Sequence, residues 1–302
     1  MIKTLCIGHA SYEIYIQTDG FIKEGIKERY VNKISCGGGV ASNVSYLLSK
    51  WGIASTFAGV IGNDVFGQRI KKEFESLGSD TRYIETSFDK DTTISFIMVD
   101  TKNNGMSTLL NVADEYSKLT KYDFDFQPDL IFVDGHDPYV SKASIERFPK
   151  SVTVCSCHRF NPDVVDLAKK CQYIICSKGF AEEASKLKID YNNTNTLVNV
   201  YDALRKQFDG QEIIITIENK GAVYMIENQI KVSPSLMVAP MDTTGAGDIF
   251  KGAFCYSIIK DHDLEKAIKF GNIAAGLSLG KIGTRLSIPK LEDVVKVYEK
   301  NA

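Results

Sequence analysis

Short apolar runs alternate with segments of helical periodicity along most of the chain, and this alternation restricts the possible folds more than any other feature. Four runs are apolar nearly throughout, as strands covered on both faces should be, and they occupy residues 129–135, 151–156, 172–177 and 212–217. Amphipathic patterns such as 40–51 and 64–77 predict helices between strands of this kind. The alternation predicts parallel strands joined by crossover helices, and therefore a doubly wound α/β sheet. We expect one domain over residues 1–302, because such sheets often exceed roughly 200 residues without dividing.

Residues 11–36 and 92–112 depart from this pattern because they alternate apolar and polar side chains. The turn sequence Lys102-Asn103-Asn104-Gly105 in the second segment predicts a hairpin. We therefore expect solvent-exposed antiparallel strands that form a small second sheet. Such a sheet could close over a site on the main sheet as a lid, or it could consist of edge strands without a role in binding.

The charge and cysteine content exclude several classes of protein. With 36 basic and 38 acidic residues and a pI near 6.1, the chain offers no basic surface for a nucleic acid. No stretch approaches the roughly 20 apolar residues that span a bilayer, and the N-terminus becomes polar before the core of a signal peptide could form. The seven cysteines include no C-x-x-C pair, so we expect reduced, packed side chains. These features predict a cytoplasmic protein with neither a nucleic-acid nor a membrane partner.

The run Cys36-Gly37-Gly38-Gly39 directly precedes one of the predicted helices. Residues without a Cβ atom allow a polar ligand to approach the backbone, and Asn43 in the first turn can both donate and accept hydrogen bonds. This combination suits a ligand rich in hydroxyl groups. A tight turn without a ligand, or a variant of a dinucleotide-binding loop, would also explain the glycines.

The segment from Asp242 to Asp248 carries the strongest chemical signal. Gly245, Ala246 and Gly247 open a further predicted helix, and their amides would point toward an anion at the positive end of the helix dipole. A carboxylate beside an anion site is unfavourable unless it has a task, and Asp248 is placed to accept the proton of an attacking hydroxyl. The plain alternative is a capped helix with an acidic residue in its first turn.

These two segments together resemble the two signature sequences of the ribokinase-like (PfkB) family of carbohydrate kinases, and residues 62–67 resemble a third family segment, G-x-D-x-x-G. The resemblance covers essentially the whole chain. It implies a three-layer α/β/α sandwich with a mostly parallel central sheet and a small β-sheet lid. It also implies that the γ-phosphoryl group of ATP is transferred, with Mg²⁺ present, to a hydroxyl of a sugar or sugar derivative.

The same resemblance implies roles for individual residues. Asp248 would be the catalytic base, with the anion hole formed by Gly245, Ala246 and Gly247. The sugar would contact Gly38, Gly39, Asn43, Asp248 and Glu13, the last in place of the usual Asp. The nucleotide would lie along Thr216, Glu218, Gly221, Thr244, Gly245, Gly247 and Asn272. A monovalent cation, K⁺ in this interpretation, would be held by Asp242, Thr244, Lys281, Gly283 and Ser287.

Several positions depart from the family pattern. The N-x-x-E sequence that organises Mg²⁺ and phosphate is absent after the strand predicted at 172–177. In that place Lys178 could bind a phosphate and Glu183 could reach the metal through water, or both could be solvated helix residues. Glu218 replaces a glycine common in the family, and Glu13 is longer by one methylene than the usual Asp.

Further alternatives stay open from the sequence. The pairs His136-Asp137 and His158-Arg159 follow predicted strands at the end where ligands bind to α/β sheets, and His136 is a candidate substrate contact. Tyr12 and Tyr15 on the lid could stack a base, which would favour a nucleoside kinase of the same fold, or they could equally pack a hairpin. The altered metal sequence would also suit a catalytically silent, sugar-sensing homologue. An exposed lid could pair with that of a second copy in a homodimer.

Overall fold

The chain forms two β-sheets, and helices cover both faces of the larger one. The computed structural model describes residues 1–20, 24, 25, 27, 29–100, 102, 105–110, 119, 120 and 122–301. Its strands are β1 (Lys3–Ile7), β2 (Ser11–Thr18), β3 (Asn32–Gly38), β4 (Ala54–Gly62), β5 (Ile84–Ser87), β6 (Ile94–Asp100), β7 (Gly105–Leu110), β8 (Leu130–Val133), β9 (Val152–Cys157), β10 (Tyr173–Ser177), β11 (Glu212–Thr216), β12 (Ala222–Ile226) and β13 (Gln229–Ser233). Its helices are α1 (Val40–Lys50), α2 (Val65–Ser76), α3 (Pro138–Arg147), α4 (Pro162–Ala168), α5 (Lys178–Ser185), α6 (Thr194–Gln207), α7 (Ala246–Asp261), α8 (Leu264–Ser278), α9 (Thr284–Ser287) and α10 (Leu291–Lys300), with a 3-10 turn at Glu218–Lys220.

The larger sheet has nine strands in the order β13-β12-β11-β10-β9-β8-β1-β4-β5. Its seven strands from β11 to β5 pair in parallel, whereas β12 and β13 join one edge as antiparallel strands. The prediction of a mostly parallel doubly wound sheet is therefore confirmed. Each strand in the middle of the sheet contributes alternate side chains to two separate cores, as the pleat requires. Phe132, for example, lies in one core, and its neighbours Ile131 and Val133 lie in the other.

Two helical layers cover these cores. The first core is closed by α1, α2, α7, α8 and α10, and the second by α3 to α6. Helix α7 is buried over most of its circumference from Ile249 to Ile259, because it packs against α1 on one side and α8 on the other. None of the helices in the described ranges is long and apolar enough to cross a membrane.

The smaller sheet has four strands in the order β3-β2-β6-β7. The predicted hairpin is confirmed as the antiparallel pair of β6 and β7, and β2 pairs with β3 in the same way. The expectation that the whole sheet is antiparallel is wrong, because β2 and β6 run parallel where the two hairpins meet. One face of this sheet is not exposed to solvent, since Tyr15, Ile97 and Val99 are buried there with Ile282 of the α8–α9 connection.

The parallel strands end at a common edge of the large sheet. Residues His9, His136, His158 and Lys178 follow β1, β8, β9 and β10 at this edge, and ligands of open α/β sheets bind outside such carboxyl ends. The lid sheet and the first turns of α1 and α7 meet at the same edge, as the contacts below show.

Candidate active site

The start of α7 is shaped by Gly245 and Asp242. Gly245 has a φ of 74° and precedes the first helical residue, Ala246. A Cβ on Gly245 would lie 2.1 Å from the Thr284 side chain, so a larger residue would not fit. The Asp242 carboxylate accepts the amide of Thr244 at 2.9 Å and that of Gly283 at 3.0 Å. Asp242 thus joins the loop before α7 to the loop before α9.

The amides at this helix start differ in availability. Ala246 N–H donates to the Thr243 carbonyl over a long 3.4 Å, and Asp248 N–H donates to the Gly245 carbonyl at 2.9 Å. Among the described residues, the amides of Gly245 and Gly247 donate to no acceptor. Of the three amides predicted to form an anion hole, two are therefore available among the described residues, and the third, that of Ala246, has only a long hydrogen bond. They lie at the positive end of a 16-residue helix.

Asp248 lies in the first turn of α7, and its carboxylate has two partners. Its Oδ2 accepts a hydrogen bond from Asn43 Nδ2 at 3.0 Å, and its Oδ1 lies 3.4 Å from Lys251 Nζ. The structure therefore brings the two predicted signature segments into direct contact, because Asn43 stands in the first turn of α1. The second partner, Lys251, was not anticipated from the sequence.

Arg285 fixes the orientation of the Asn43 side-chain amide. Arg285 Nε donates to Asn43 Oδ1 at 3.3 Å, which leaves the NH₂ group to point at Asp248. Arg285 is only 2% exposed, and its Nη1 lies 2.6 Å from the carboxylate of Glu73 on α2. The guanidinium also lies over the ring of Tyr46, with the Cζ atom 4.6 Å from the ring centroid. Neither Arg285 nor Glu73 was predicted from the sequence.

At each of the three glycines before α1, a Cβ atom would clash with a different neighbour. A Cβ on Gly37 would lie 2.2 Å from Arg285 Nη1, and one on Gly38 would lie 2.3 Å from Glu13 Oε1. Gly39 has a φ of 91°, and a Cβ there would lie 2.5 Å from the His9 carbonyl oxygen. Close packing of polar groups around this turn therefore explains the run of glycines.

Glu13 lies on β2 of the lid and is buried. Its Oε2 accepts hydrogen bonds from the hydroxyls of Tyr15 at 2.6 Å and Thr284 at 3.0 Å. Burial raises the pKa of Glu13 to about 7, although these two hydrogen bonds favour the ionised form, and the negative charge of Asp248 raises the pKa further. Oε2 is thus occupied, while Oε1 faces Gly38 at the junction of lid and sandwich.

The His136 side chain is half-buried and belongs to a group that includes His9 and Asp134. It stacks on His9 with ring centroids 4.2 Å apart, and Asp134 accepts the amides of His9, Ala41 and His136 at 2.9–3.1 Å. Burial, reinforced by His136, lowers the pKa of His9 to about 3. Asp137 is also buried and accepts the amide of Leu119 at 3.1 Å. The structure thus links His136 to the start of α1 through Asp134 and gives Asp137 a structural contact.

The predicted nucleotide residues lie at the β11–β12 turn and on α8. Glu218 has a φ of 55° and begins the 3-10 turn, a backbone conformation that suits the glycine it replaces. A Cβ on Gly221 would lie 2.0 Å from the Ser233 carbonyl oxygen, and Asn272 donates to that same oxygen at 3.0 Å. Thr216 donates to the Cys176 carbonyl at 3.2 Å. Gly221 and Asn272 therefore meet at Ser233, with Asn272 holding the end of β13.

The residues that stand in for the missing metal sequence lie on α5. Lys178 stacks over the Tyr191 ring, with Nζ 4.3 Å from its centroid, and lies 3.9 Å from Glu182. Glu183 Oε2 accepts the amide of Phe160 at 3.3 Å. Within the described part of the chain, no three acidic, histidine or cysteine side chains converge as a metal site.

The predicted monovalent-cation residues gather only in part. Asp242, Thr244 and Gly283 are hydrogen-bonded together, and Ser287 joins them by donating its amide to the Gly283 carbonyl at 2.9 Å. The side chain of Lys281 is exposed to solvent. Each Asp242 oxygen retains a lone pair, so the carboxylate suits a cation with oxygen ligands.

The suggestion that Tyr12 and Tyr15 stack a base is wrong for the structure as it stands. Tyr15 is fully buried and its hydroxyl is engaged by Glu13 and Thr284. Tyr12 is buried against Phe66, with ring centroids 5.2 Å apart. Both rings serve to pack the lid.

Comparison with known proteins agrees with this geometry. The model of the pfkB family of carbohydrate kinases matches residues 1–291. The chain belongs to this family. The PfkB-family relatives include a ribokinase of Haemophilus influenzae, 23% identical over 99% of both chains, and a nucleoside kinase of Methanocaldococcus jannaschii, 22% identical over 100% of this chain and 98% of its own.

A solved structure extends the likeness to three dimensions. The ribokinase of Arabidopsis thaliana, solved with ribose and ATP, has a TM-score of 0.78 at 17% identity and covers 99% of this chain and 98% of its own. The ribokinase-like α/β/α sandwich with its lid is therefore confirmed. As a member of the PfkB family, the chain is a phosphotransferase with an alcohol group as acceptor.

Proposed function

We propose that this protein transfers the γ-phosphoryl group of ATP to a hydroxyl of a sugar or sugar derivative. One observation carries the proposal. The Asp248 carboxylate accepts a hydrogen bond from Asn43, and its charge raises the pKa of Glu13. It belongs to the helix start whose Gly245 and Gly247 amides donate to no acceptor among the described residues. A hydroxyl bound beside Asn43 and Glu13 would have Asp248 as its proton acceptor, and a phosphoryl group held by the amides of the same helix start would be within its reach, as transfer requires.

The donor would lie along the β11–β12 turn, with its phosphates toward the start of α7. The Arabidopsis ribokinase was solved with ATP, which supports the same donor here. Mg²⁺ needs few protein ligands because ATP phosphates supply the others, and Glu183 is our candidate to reach it through water. The charge of such an ion would stabilise the leaving group. Since ATP is the donor, we keep the cytoplasm as the expected compartment.

The residues would contribute differently to the rate of transfer. A well-placed donor to the developing charge is worth about 3–4 kcal/mol, and a positioned base contributes about 10²–10⁴-fold in rate. The acceptor hydroxyl gives its proton to Asp248, its oxygen bonds to the γ-phosphorus, and the electron pair of the broken bond stays on ADP. Asn43 keeps Asp248 oriented, because its NH₂ group donates to Oδ2 throughout. Lid closure would exclude water as a competing acceptor.

A nucleoside acceptor is the alternative, since a nucleoside kinase is among the relatives. The buried Tyr12 and Tyr15 give a base no platform on the lid, so the geometry favours a sugar. A silent sensor would bind ATP without turnover. ADP release should therefore be measured against pentoses, hexoses, ketoses, amine-linked sugars, sugar phosphates and nucleosides.

The direct test of the site is Asp248→Asn. We expect kcat to fall by at least about 100-fold with nearly unchanged ATP affinity, because the amide cannot accept the proton but keeps the shape. Asp261→Asn, at the exposed far end of α7, is the matched control and should be normal. A near wild-type rate in Asp248→Asn would refute the assignment of the base.

A further inference from the structure

The ammonium group of Lys251 is buried in the active site and is incompletely neutralised. Lys251 is 9% exposed and is the one charged residue of the apolar run 249–259. A buried lysine requires a counter-charge, because removing an ammonium from water costs several kcal/mol. In the described residues Asp248 is the acidic side chain within ion-pair distance, and the separation of 3.4 Å is long for such a pair.

The location of the Lys251 ammonium indicates a second binding partner besides Asp248. Lys251 Nζ lies 3.8 Å from the position that a Cβ on Gly247 would take, so it is next to a residue whose amide donates to no acceptor in the described part of the chain. The ammonium therefore lies at the start of α7, beside both Gly247 and Asp248. Burial and then the positive charge of Lys251 lower the pKa of His158, which places the ammonium toward the strand ends.

We propose that Lys251 is a catalytic residue that contacts an oxygen of the γ-phosphoryl group and follows it during transfer. This inference rests on the proposed function and adds a fixed cation beside the two available amides. When the acceptor hydroxyl gives its proton to Asp248, that carboxyl becomes neutral and the ammonium loses its partner. The migrating phosphoryl group carries negative charge at that moment and takes its place. Lys251 keeps its own proton throughout, and the bonds made and broken are those of the transfer itself.

The proposal also fits the altered sequence after β10. The chain lacks the N-x-x-E sequence there, and Lys178 is stacked on Tyr191. Positive charge for the phosphates is therefore needed from another element, and Lys251 on α7 supplies it.

The test compares two nucleotides that differ by the γ-phosphate, so it needs no acceptor. Affinities of the Mg²⁺ complexes of AMPPNP and ADP are measured by calorimetry for wild type, Lys251→Met, Lys251→Arg and Lys260→Met. We expect Lys251→Met to weaken AMPPNP about 10-fold or more and ADP less than about 2-fold. Lys251→Arg should retain most of the AMPPNP affinity. Lys260→Met removes an exposed charge from the same helix and should change neither.

A second set of variants, made in the Asp248→Asn protein, distinguishes contact between Lys251 and the phosphate from neutralisation of Asp248 by Lys251. Removing Lys251 would leave the Asp248 charge free to repel the γ-phosphate, so Lys251→Met is also measured in the Asp248→Asn background. If the loss of AMPPNP affinity persists there, the ammonium binds the phosphate. If it disappears, or if AMPPNP and ADP weaken equally, the proposal is wrong. Should Lys251→Met not fold, Lys251→Gln is used with the same criteria. A wild-type protein that binds neither nucleotide would instead overturn the proposed function.

Discussion

Glu13 is the residue whose ionisation should govern acceptor binding. Because burial raises its pKa to about 7 from an ordinary 4.5, the carboxyl is largely protonated at pH 6 and ionised at pH 8. A hydroxyl donates a stronger hydrogen bond to a charged acceptor, by about 1 kcal/mol or more. We therefore expect the KM of the acceptor to fall several-fold between pH 6 and pH 8. The measurement is initial rate at saturating ATP across that range.

Glu13→Gln provides the control for this pH effect. The amide keeps the size of the side chain and cannot titrate, so its acceptor KM should be higher and independent of pH. If the variant kept the wild-type pH profile, another group would be responsible. The same pKa shift disfavours the folded state as pH rises from about 4.5 to 7, since the unfolded chain ionises first. Glu13→Gln should remove that part of the pH dependence of unfolding.

The pair of Arg285 and Glu73 should matter for both stability and rate. Glu73→Gln leaves a buried guanidinium without its counter-charge, and breaking a fully buried pair costs about 3–5 kcal/mol. Because the Glu73 side chain is 27% exposed, we expect a smaller loss, about 1–3 kcal/mol, in the free energy of unfolding measured with urea. The kcat should also fall, because Arg285 orients the Asn43 amide toward Asp248.

Glu75→Gln is the matched control for that experiment. Glu75 lies on the same helix, is exposed, and should be replaceable within about 0.5 kcal/mol. Equal stabilities of the two variants would show that Arg285 does not depend on Glu73.

Among the elements, the starts of α7 and α9 are coupled through Asp242. Its two carboxylate oxygens accept amides from both loops, so Asp242→Asn places an NH₂ group against one of these donors. We expect kcat to fall about 10-fold or more, because misplacing the amides of the anion site weakens transition-state binding. A bound K⁺ would act on the same loops. Replacing KCl by choline chloride should therefore slow the wild type and affect the variant less.

The rates in the different salts must be measured at the same ionic strength, because ionic strength alone can change kcat. NaCl serves as a third condition, since a site of carboxylate and carbonyl oxygens distinguishes the two alkali ions by size. If the wild-type rate is equal in all three salts, the protein has no functional monovalent cation at this site. The structural role of Asp242 would then be judged from the kcat of Asp242→Asn alone.

The elements were predictable from the sequence to the extent that each carries its own pattern. Helices α1 and α2 and strands β8 to β11 lie within one or two residues of their predicted bounds, because their apolar periods and glycine starts are local. The parallel pairing of β2 and β6 was not predictable, since it joins segments distant in sequence.

The contacts of Lys251 with Asp248 and of Arg285 with Asn43 were also not predicted. The one local signal was a charge inside an apolar helix, and only the fold reveals its partner.

At the scale of the whole molecule, the described part of the lid presents apolar side chains to solvent. The register of β2 and β6 places Ile16 beside Met98, both half-buried, and Ile14 beside Phe96. Ile14 packs against the first core, whereas Phe96 is 43% exposed. Because an exposed apolar sheet tends to associate, we predict that two copies pair through their lids. Light scattering after size exclusion should give twice 33.5 kDa for wild type and the monomer mass for Phe96→Lys. Phe88→Lys, 81% exposed and outside the lid strands, should remain dimeric, and a monomeric wild type would contradict the prediction.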